Sequence, residues 1–273
     1  MEKIRVRKPV VAGQFYPSSV QGLKNQIEAF VDKKTAKRDI IACMLPHAGY
    51  AYSGRVAVET VSCIDIKDKV VLLGPNHTGY GAEFSIMTEG IWETPLGQVK
   101  IDSGLSQQIL GRSEFLKDDA LSHASEHSLE VELPILQYFK NSFEIVPIAF
   151  LSDDVAALKK IGSDIALTIK ENGLQDSTMI VASSDMTHYE PQADAEKKDF
   201  EAIKAILDLD EDKLMEKIMR LNISMCGYAP VIAMLSAAKI LGAKKSELIK
   251  YQTSGDVTGD KSSVVGYAGI IIY

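Results

Sequence analysis

The run KVVLLG (69–74) is followed at once by PNH (75–77). Four consecutive apolar residues between Lys69 and Gly74 describe a strand covered on both faces, because a strand with one wet face would alternate apolar and polar side chains. The Gly-Pro step ends it, and His77 is placed where the loop begins. The same arrangement recurs twice. IIACML (40–45) runs into Pro46 and His47, and TMIVAS (178–183) runs into Ser184, Asp185 and, three residues on, His188. In open α/β sheets, ligands bind in the crevice beyond the carboxyl ends of the strands. Three of the five histidines of this chain stand at such ends.

Outward from these runs, strand-type and helix-type stretches alternate. Residues 54–63 read as a helix with small and apolar residues on one side. Residues 83–88 and 97–101 read as short strands around the turn WETPLG (92–97). Apolar residues at helical spacing (Leu129, Leu133, Leu136) predict a helix over 128–139. A strand follows at 144–150 and a helix at 153–170. Beyond the strand at 178–183, helices are expected at 191–207, 211–219 and 228–241, and a closing strand at 264–273. This order predicts an α/β fold: a central, mostly parallel or mixed sheet with helices on both faces. No Pro/Gly/Ser-rich linker, internal repeat or low-complexity tract divides residues 1–273, which read as a single domain.

Composition excludes several classes of function. The 273 residues are 46% hydrophobic and 25% charged, enough for a sizeable core. The net charge is −7 and no Lys/Arg-rich block occurs, so nucleic acid is not expected as a partner. The longest apolar runs are strand-length, far short of the roughly 20 residues of a membrane span. The stretch MEKIRVRKPVVAGQFYP (1–17) lacks a leader-type apolar run. Cys43, Cys63 and Cys226 are widely spaced without a CxxC pair, which suits a reducing compartment. A cytoplasmic location is expected.

Each candidate has a bland reading beside the chemical one. His47, in PHAGY (46–50), follows a proline that fixes the strand exit and precedes Gly49, which permits an unusual backbone angle; it would otherwise be a capping or core histidine. His77 sits in GPNHTGYG (74–81), a tightly shaped loop whose spacing fits neither nucleotide-phosphate fingerprint. His188, in SSDMTHY (183–189), has Asp185 nearby as an orienting or proton-transfer carboxylate, or as a helix cap or Asx turn. Cys226, in SMCGYAP (224–230), precedes a helix whose N-terminus favours a thiolate; a small buried hydrophobe is the commoner fate of such a cysteine. Cys43 and Cys63 read as structural. HASEH (123–127) matches the H-x-x-E-H pattern of some metallopeptidases, but His123 precedes the expected helix, for which Ser125 or Ser128 could be the cap. The match reads as accidental. Glu126 and His127 still qualify as pocket-lining residues. Three histidines and a cysteine gathered over long separations suit iron, copper or zinc, in an open chemical site rather than a closed structural one.

The motifs AGQFYP (12–17), PHAGYAYSG (46–54), LGPNHTGYG (73–81), TPLG (94–97), EHSLEVELP (126–134), SSDMTH (183–188), CGYAP (226–230) and TSGDVTGDKSSVVGYAG (253–269) together resemble the Memo family, whose prokaryotic branch is labelled AmmeMemoRadiSam system protein B. The resemblance covers nearly the whole chain from residue 12. It implies a fold similar to the LigB-type class III extradiol dioxygenases, and a pocket formed by His47, His77 and His188 with Cys226 and, nearby, Asp185. Those dioxygenases hold Fe(II) with two histidines and a carboxylate. A third histidine and a cysteine stand here instead, so ring cleavage does not carry over. The expected function is a metal-dependent, dioxygenase-like redox enzyme or a metal-binding redox protein, of unknown small-molecule or peptide substrate. In it His47, His77 and Cys226 are ligands, and His188 is a ligand or acid/base oriented by Asp185. Tyr50, Tyr52, His127 and Glu126 contact substrate. Iron ranks first as the single ion, copper second and zinc third. The alternatives are a non-catalytic scaffold that binds a peptide or protein in the same cleft, and a Cys226-centred hydrolase or transferase with His188 as base. The family label implies AMMECR-type and radical SAM partner proteins.

Overall fold

The computed structural model describes residues 5–31 and 36–273. Residues 1–4 of the N-terminal stretch read above for a leader, and residues 32–35 within the single-domain span, lie outside the described residues. The described strands are β1 (Val6–Arg7), β2 (Ala42–Leu45), β3 (Lys69–Pro75), β4 (Phe84–Ile86), β5 (Ile91–Thr94), β6 (Gly97–Ile101), β7 (Lys117–Asp118), β8 (Glu144–Phe150), β9 (Thr178–Ser183), β10 (His188–Glu190), β11 (Ser246–Thr253) and β12 (Val264–Ile272). The helices are α1 (Val20–Glu28), α2 (Gly54–Ser62), α3 (Ser103–Arg112), α4 (Leu121–Ala124), α5 (Glu132–Phe139), α6 (Val155–Glu171), α7 (Gln192–Leu207), α8 (Glu211–Leu221), α9 (Tyr228–Leu241) and α10 (Ser254–Thr258).

The strands form one mixed sheet with the path β1-β5-β6-β8-β3-β9-β2-β12-β10. Its centre is parallel: β8, β3, β9 and β2 run the same way, in the registers Val71↔Val146, Val71↔Ile180 and Ala42↔Ile180. Strand β12 then turns the sheet antiparallel, pairing with β2 (Ile270↔Met44), β11 and β10. Successive side chains of a strand point to opposite faces, and here both faces are dry. Val71, Leu73, Ala42 and Met44 enter a core shared with α3, α6, α7, α8 and α9, while Val70, Leu72, Cys43 and Leu45 enter one shared with α1, α2 and α5. Burial of each such Val or Leu side chain is worth about 1.5–3 kcal/mol. Helix α9 is apolar on every side, and all of Ala229–Ala238 is buried; it packs against β9, β3, β2 and α6. Among the described residues no helix is long and apolar enough to cross a membrane.

The expected helix over 128–139 begins only at Glu132. Residues 126–131 are drawn instead into a tight turn against the end of β3, where Ser128 Oγ donates to the Pro75 carbonyl (2.9 Å) and Val131 N to the His127 carbonyl (3.0 Å). Neither Ser125 nor Ser128 caps the helix; its N-cap position is Val131, without a side-chain cap bond. A buried clasp secures this turn. Glu130 takes hydrogen bonds from the Arg7 guanidinium (2.6 Å), the amides of Val10 and Val11, and the Tyr16 hydroxyl (2.6 Å). Arg7 also stacks 4.2 Å above the Trp92 ring and donates to the carbonyls of His123 and Glu126. The N-terminal segment is thereby tied over the loops that carry the site.

Candidate metal centre

Loops at the carboxyl ends of β2, β3 and β9 converge with the residues before α9. Asp185 Oδ1 accepts the His47 amide N–H (2.9 Å), which joins the ends of β2 and β9. Gly227 lets the start of α9 approach β9 so closely that a Cβ there would lie 2.3 Å from the Ser183 carbonyl oxygen and 2.5 Å from Ser184 Cβ. That approach sets Cys226 Sγ 3.3 Å from His47 Nε2 and 3.3 Å from the Asp185 amide. His77 completes the group: the donor atoms of His47, His77 and Cys226 all lie within 4.8 Å of one another. The His47 and His77 rings are 5.1 Å apart, and His127 stacks on His77 at 4.7 Å.

Glu126 fixes the His77 ring. It is 1% exposed. Its Oε1 lies 2.9 Å from His77 Nδ1 and accepts the amides of His127 (2.9 Å) and Ser128 (2.8 Å), while Oε2 accepts the His77 amide. Burial alone would raise its pKa; the His77 contacts and the Ser128 amide overcome this and hold the carboxyl down at about 2. An ionised carboxylate only accepts, so the His77 proton resides on Nδ1 and the Nε2 lone pair is available. His77, Glu126 and His127 also form a group close enough to hold an ion, but Glu126 has its oxygens occupied by four donors and reads as an orienting carboxylate. His188 is set the same way by a different partner. Its Nδ1 donates to the Ser224 carbonyl (2.9 Å), and its amide to Ser224 Oγ (2.7 Å). In the neutral ring this makes Nε2 the lone-pair nitrogen. Strand β10, paired to β12 at His188↔Val265, brings this ring to the pocket.

The pocket above these groups is a cavity of about 530 Å³, lined by His47, His77, His127, Asp185, His188 and Cys226, with Phe15, Tyr52, Tyr189 and Tyr267 among its walls. Among the described residues no lysine or arginine lines it. His47 is fully buried, and burial together with its neighbours His77 and His127 holds its pKa well below the ordinary value. Burial raises Asp185 to about 6, against the pull of the His47 amide. A family model for Memo-like proteins matches residues 7–271. The chain belongs to the Memo family. The MEMO1 family protein of Methanopyrus kandleri is 43% identical over 97% of this chain and 98% of its own. That of Methanocaldococcus jannaschii is 44% identical over 98% and 99%, and that of Aquifex aeolicus 42% over 98% and 99%.

In this Memo-family chain several expectations from the sequence take a different form. Tyr50 does not reach the cavity. It is 1% exposed and donates to the Val131 carbonyl (2.7 Å), so it belongs to the core; Tyr52, two residues on, lines the cavity. Glu126 is covered by its own hydrogen-bond donors and stands behind His77 rather than against a ligand. Asp185 makes no hydrogen bond to His188, whose orientation comes from Ser224. Cys226 does not benefit from the helix behind it: burial and the Asp185 carboxylate push its thiol well up, so it is protonated in the absence of a metal. Gly49 has no positive φ; Gly79 (φ +71°) and Gly81 (φ +89°) are the loop positions that need glycine. His123 is fully buried against Trp92, at 5.8 Å, and outside the cavity, which leaves HASEH without the geometry of a metallopeptidase helix. Cys43 and Cys63 are buried, as expected of structural cysteines. Sequence reasoning missed Ser183, Glu132 and Ser224, which stand behind the histidines, and the wall residues Phe15, Tyr189 and Tyr267. Phe15, Tyr267, Ser183 and Glu132 lie in the quoted motifs AGQFYP, TSGDVTGDKSSVVGYAG, SSDMTH and EHSLEVELP, so that signal was present; Ser224 and Tyr189 lie outside the family motifs.

Proposed function

We propose that this Memo-family protein is a metal-dependent redox protein in which His47, His77 and Cys226 hold a single ion. One observation carries the reading: the three donor atoms lie within 4.8 Å of one another, on the floor of a cavity wide enough for a small molecule. Two imidazoles and a thiolate suit iron or copper, and also zinc. Iron remains the first expectation and copper the second. When bound, such an ion would supply Lewis acidity and one-electron chemistry at a position open to the cavity. The residues of the chain supply the rest. Glu126 holds His77 with its lone pair outward, and metal binding displaces the Cys226 proton. His188, its Nδ1 committed to Ser224, offers Nε2 as a proton acceptor. Phe15, Tyr52, Tyr189 and Tyr267 make an aromatic wall with no lysine or arginine among the described residues, which suits an uncharged or weakly charged substrate.

Metal content by inductively coupled plasma mass spectrometry tests this, on protein purified anaerobically without a histidine tag, beside His47→Ala and Cys226→Ala. The expected result is a single equivalent of iron or copper in the wild type, lost in both variants. A wild type that carries no metal and takes up none on titration overturns the reading. A non-catalytic binding platform is the second reading, favoured by the exposure of Tyr52 (43%) and Tyr189 (78%) at the mouth; such a platform would keep its partner after His47→Ala. A Cys226-centred transferase fits less well, because the imidazole beside Sγ is His47, not His188, and the thiol is held protonated.

A further inference from the structure

Ser183 closes β9 directly behind His47. Its Oγ lies 2.8 Å from His47 Nδ1, 2.9 Å from the Ser128 carbonyl oxygen and 2.8 Å from Glu132 Oε1. His47 is 1% exposed, and Ser128, Glu132 and Ser183 are fully buried. A hydroxyl has one proton to give and two lone pairs with which to accept. The Ser128 carbonyl can only accept, so it takes the Ser183 proton. The two other neighbours must then both donate. His47 does so with its proton on Nδ1. Glu132 does so only as an uncharged carboxylic acid with its proton on Oε1. Any other assignment leaves two buried acceptors face to face with no proton between them, which is costly away from water.

We propose that Glu132 is a neutral carboxylic acid in the folded protein, and that it and Ser183 are positioning residues which hold His47 in its Nδ1–H form, with the Nε2 lone pair turned toward Cys226. Two further observations agree. Among the described residues Glu132 Oε2 has no hydrogen-bond partner, which a carbonyl oxygen tolerates better than an anionic one. Burial pushes the Glu132 carboxyl well above the ordinary range, with Ser183 pulling the other way and the Asp185 charge adding to the rise. Glu132 is the first residue of α5, and that helix N-terminus favours an anion; burial without a cationic partner outweighs it. A neutral Glu132 also leaves no second anion behind His47 to oppose a Cys226 thiolate. The functional meaning rests on His47 being a metal ligand, whereas the proton placement holds in the metal-free protein.

The test therefore uses the full metal-free chain. Infrared spectra at neutral pH should contain the carbonyl stretch of a protonated carboxyl that is missing from Glu132→Gln. Long-range proton–nitrogen correlation on histidine-labelled protein should show His47 as the Nδ1–H tautomer in the wild type and in Glu132→Gln, whose amide N–H can donate to Ser183 in place of the acid. Ser183→Ala should release the tautomer to a mixture. Metal affinity should change less than about threefold in Glu132→Gln and fall about 10–100-fold in Ser183→Ala, the range for partners behind a ligating histidine. Absence of the acid band, its persistence in Glu132→Gln, or an Nε2–H tautomer of His47 in the wild type would overturn the proposal. None of those three readings depends on metal binding, so failure of the metal-site reading would leave them intact.

Discussion

Two histidines of the site face it with the same nitrogen for different reasons. A carboxylate takes the Nδ1 proton of His77 and a hydroxyl that of His47, while His188, whose Nδ1 faces a main-chain carbonyl, stands a little apart. Exchanging Glu126 for Gln places an N–H among four donors that need acceptors. Glu126→Gln is expected to lower metal affinity about 10–100-fold, measured by competition against a chelator, with the far-ultraviolet spectrum unchanged. An unchanged affinity would mean that His77 is oriented by the stacked His127 alone. His47, His77 and Cys226 were legible in the sequence because each stands in a Gly/Pro-marked loop at the end of an apolar run or the start of one. The roles of Glu132 and Ser183 were not, although both stand in quoted motifs: a glutamate within an apolar helical stretch reads as a solvated residue, and only the fold turns it inward.

The central parallel strands, β3, β8 and β9, match their sequence reading because an uninterrupted apolar run needs no partner to be recognised. Elements that depend on tertiary pairing were missed. Strand β10 is three residues whose strand partner is β12, and β11, SELIKYQT, is half-buried along most of its length with no clean alternation. Helix α1 buries only Leu23 and Ile27. At this scale the glycines of the site loops are unequal. A Cβ at Gly227 would meet the main-chain carbonyl of Ser183, which cannot move without disturbing β9, whereas one at Gly74 would meet Leu129 Cδ2 (2.6 Å) and Ser128 Oγ (2.7 Å), the ends of side chains. Gly227→Ala is therefore expected to destabilise by about 3 kcal/mol or more and to withdraw Cys226 from His47, and Gly74→Ala to cost about 1–2 kcal/mol. Urea unfolding of both, with metal uptake measured alongside, decides it; equal costs would mean that α9 can slide.

Across the whole molecule, acid should act early through buried imidazoles. Burial, with Arg7 adding to it, lowers His123 from 6.5 to about 4, against Asp119 and Glu126. Its folded value is below its unfolded one, so the unfolded chain binds the extra proton. The neutral histidine contributes its full stability above pH 6.5, and that contribution is lost as pH falls toward 4, by about 3 kcal/mol in all. His47 and His127 are lowered too, so the share of His123 is read as a difference: His123→Leu should flatten the dependence of unfolding free energy on pH between about 6.5 and 4. An unaltered slope would mean that His123 is already charged in the fold. Strand β12 has a consequence of another kind. It fills the edge of β2, and residues 264–272 leave the ribosome more than two hundred positions after residues 42–45. A nascent chain carries His47 and His77 early, yet β2 waits with an unpaired apolar edge until β12 arrives, a hazard for aggregation and a natural target for chaperones. Assembly of the pocket is thus a late event in the life of the polypeptide.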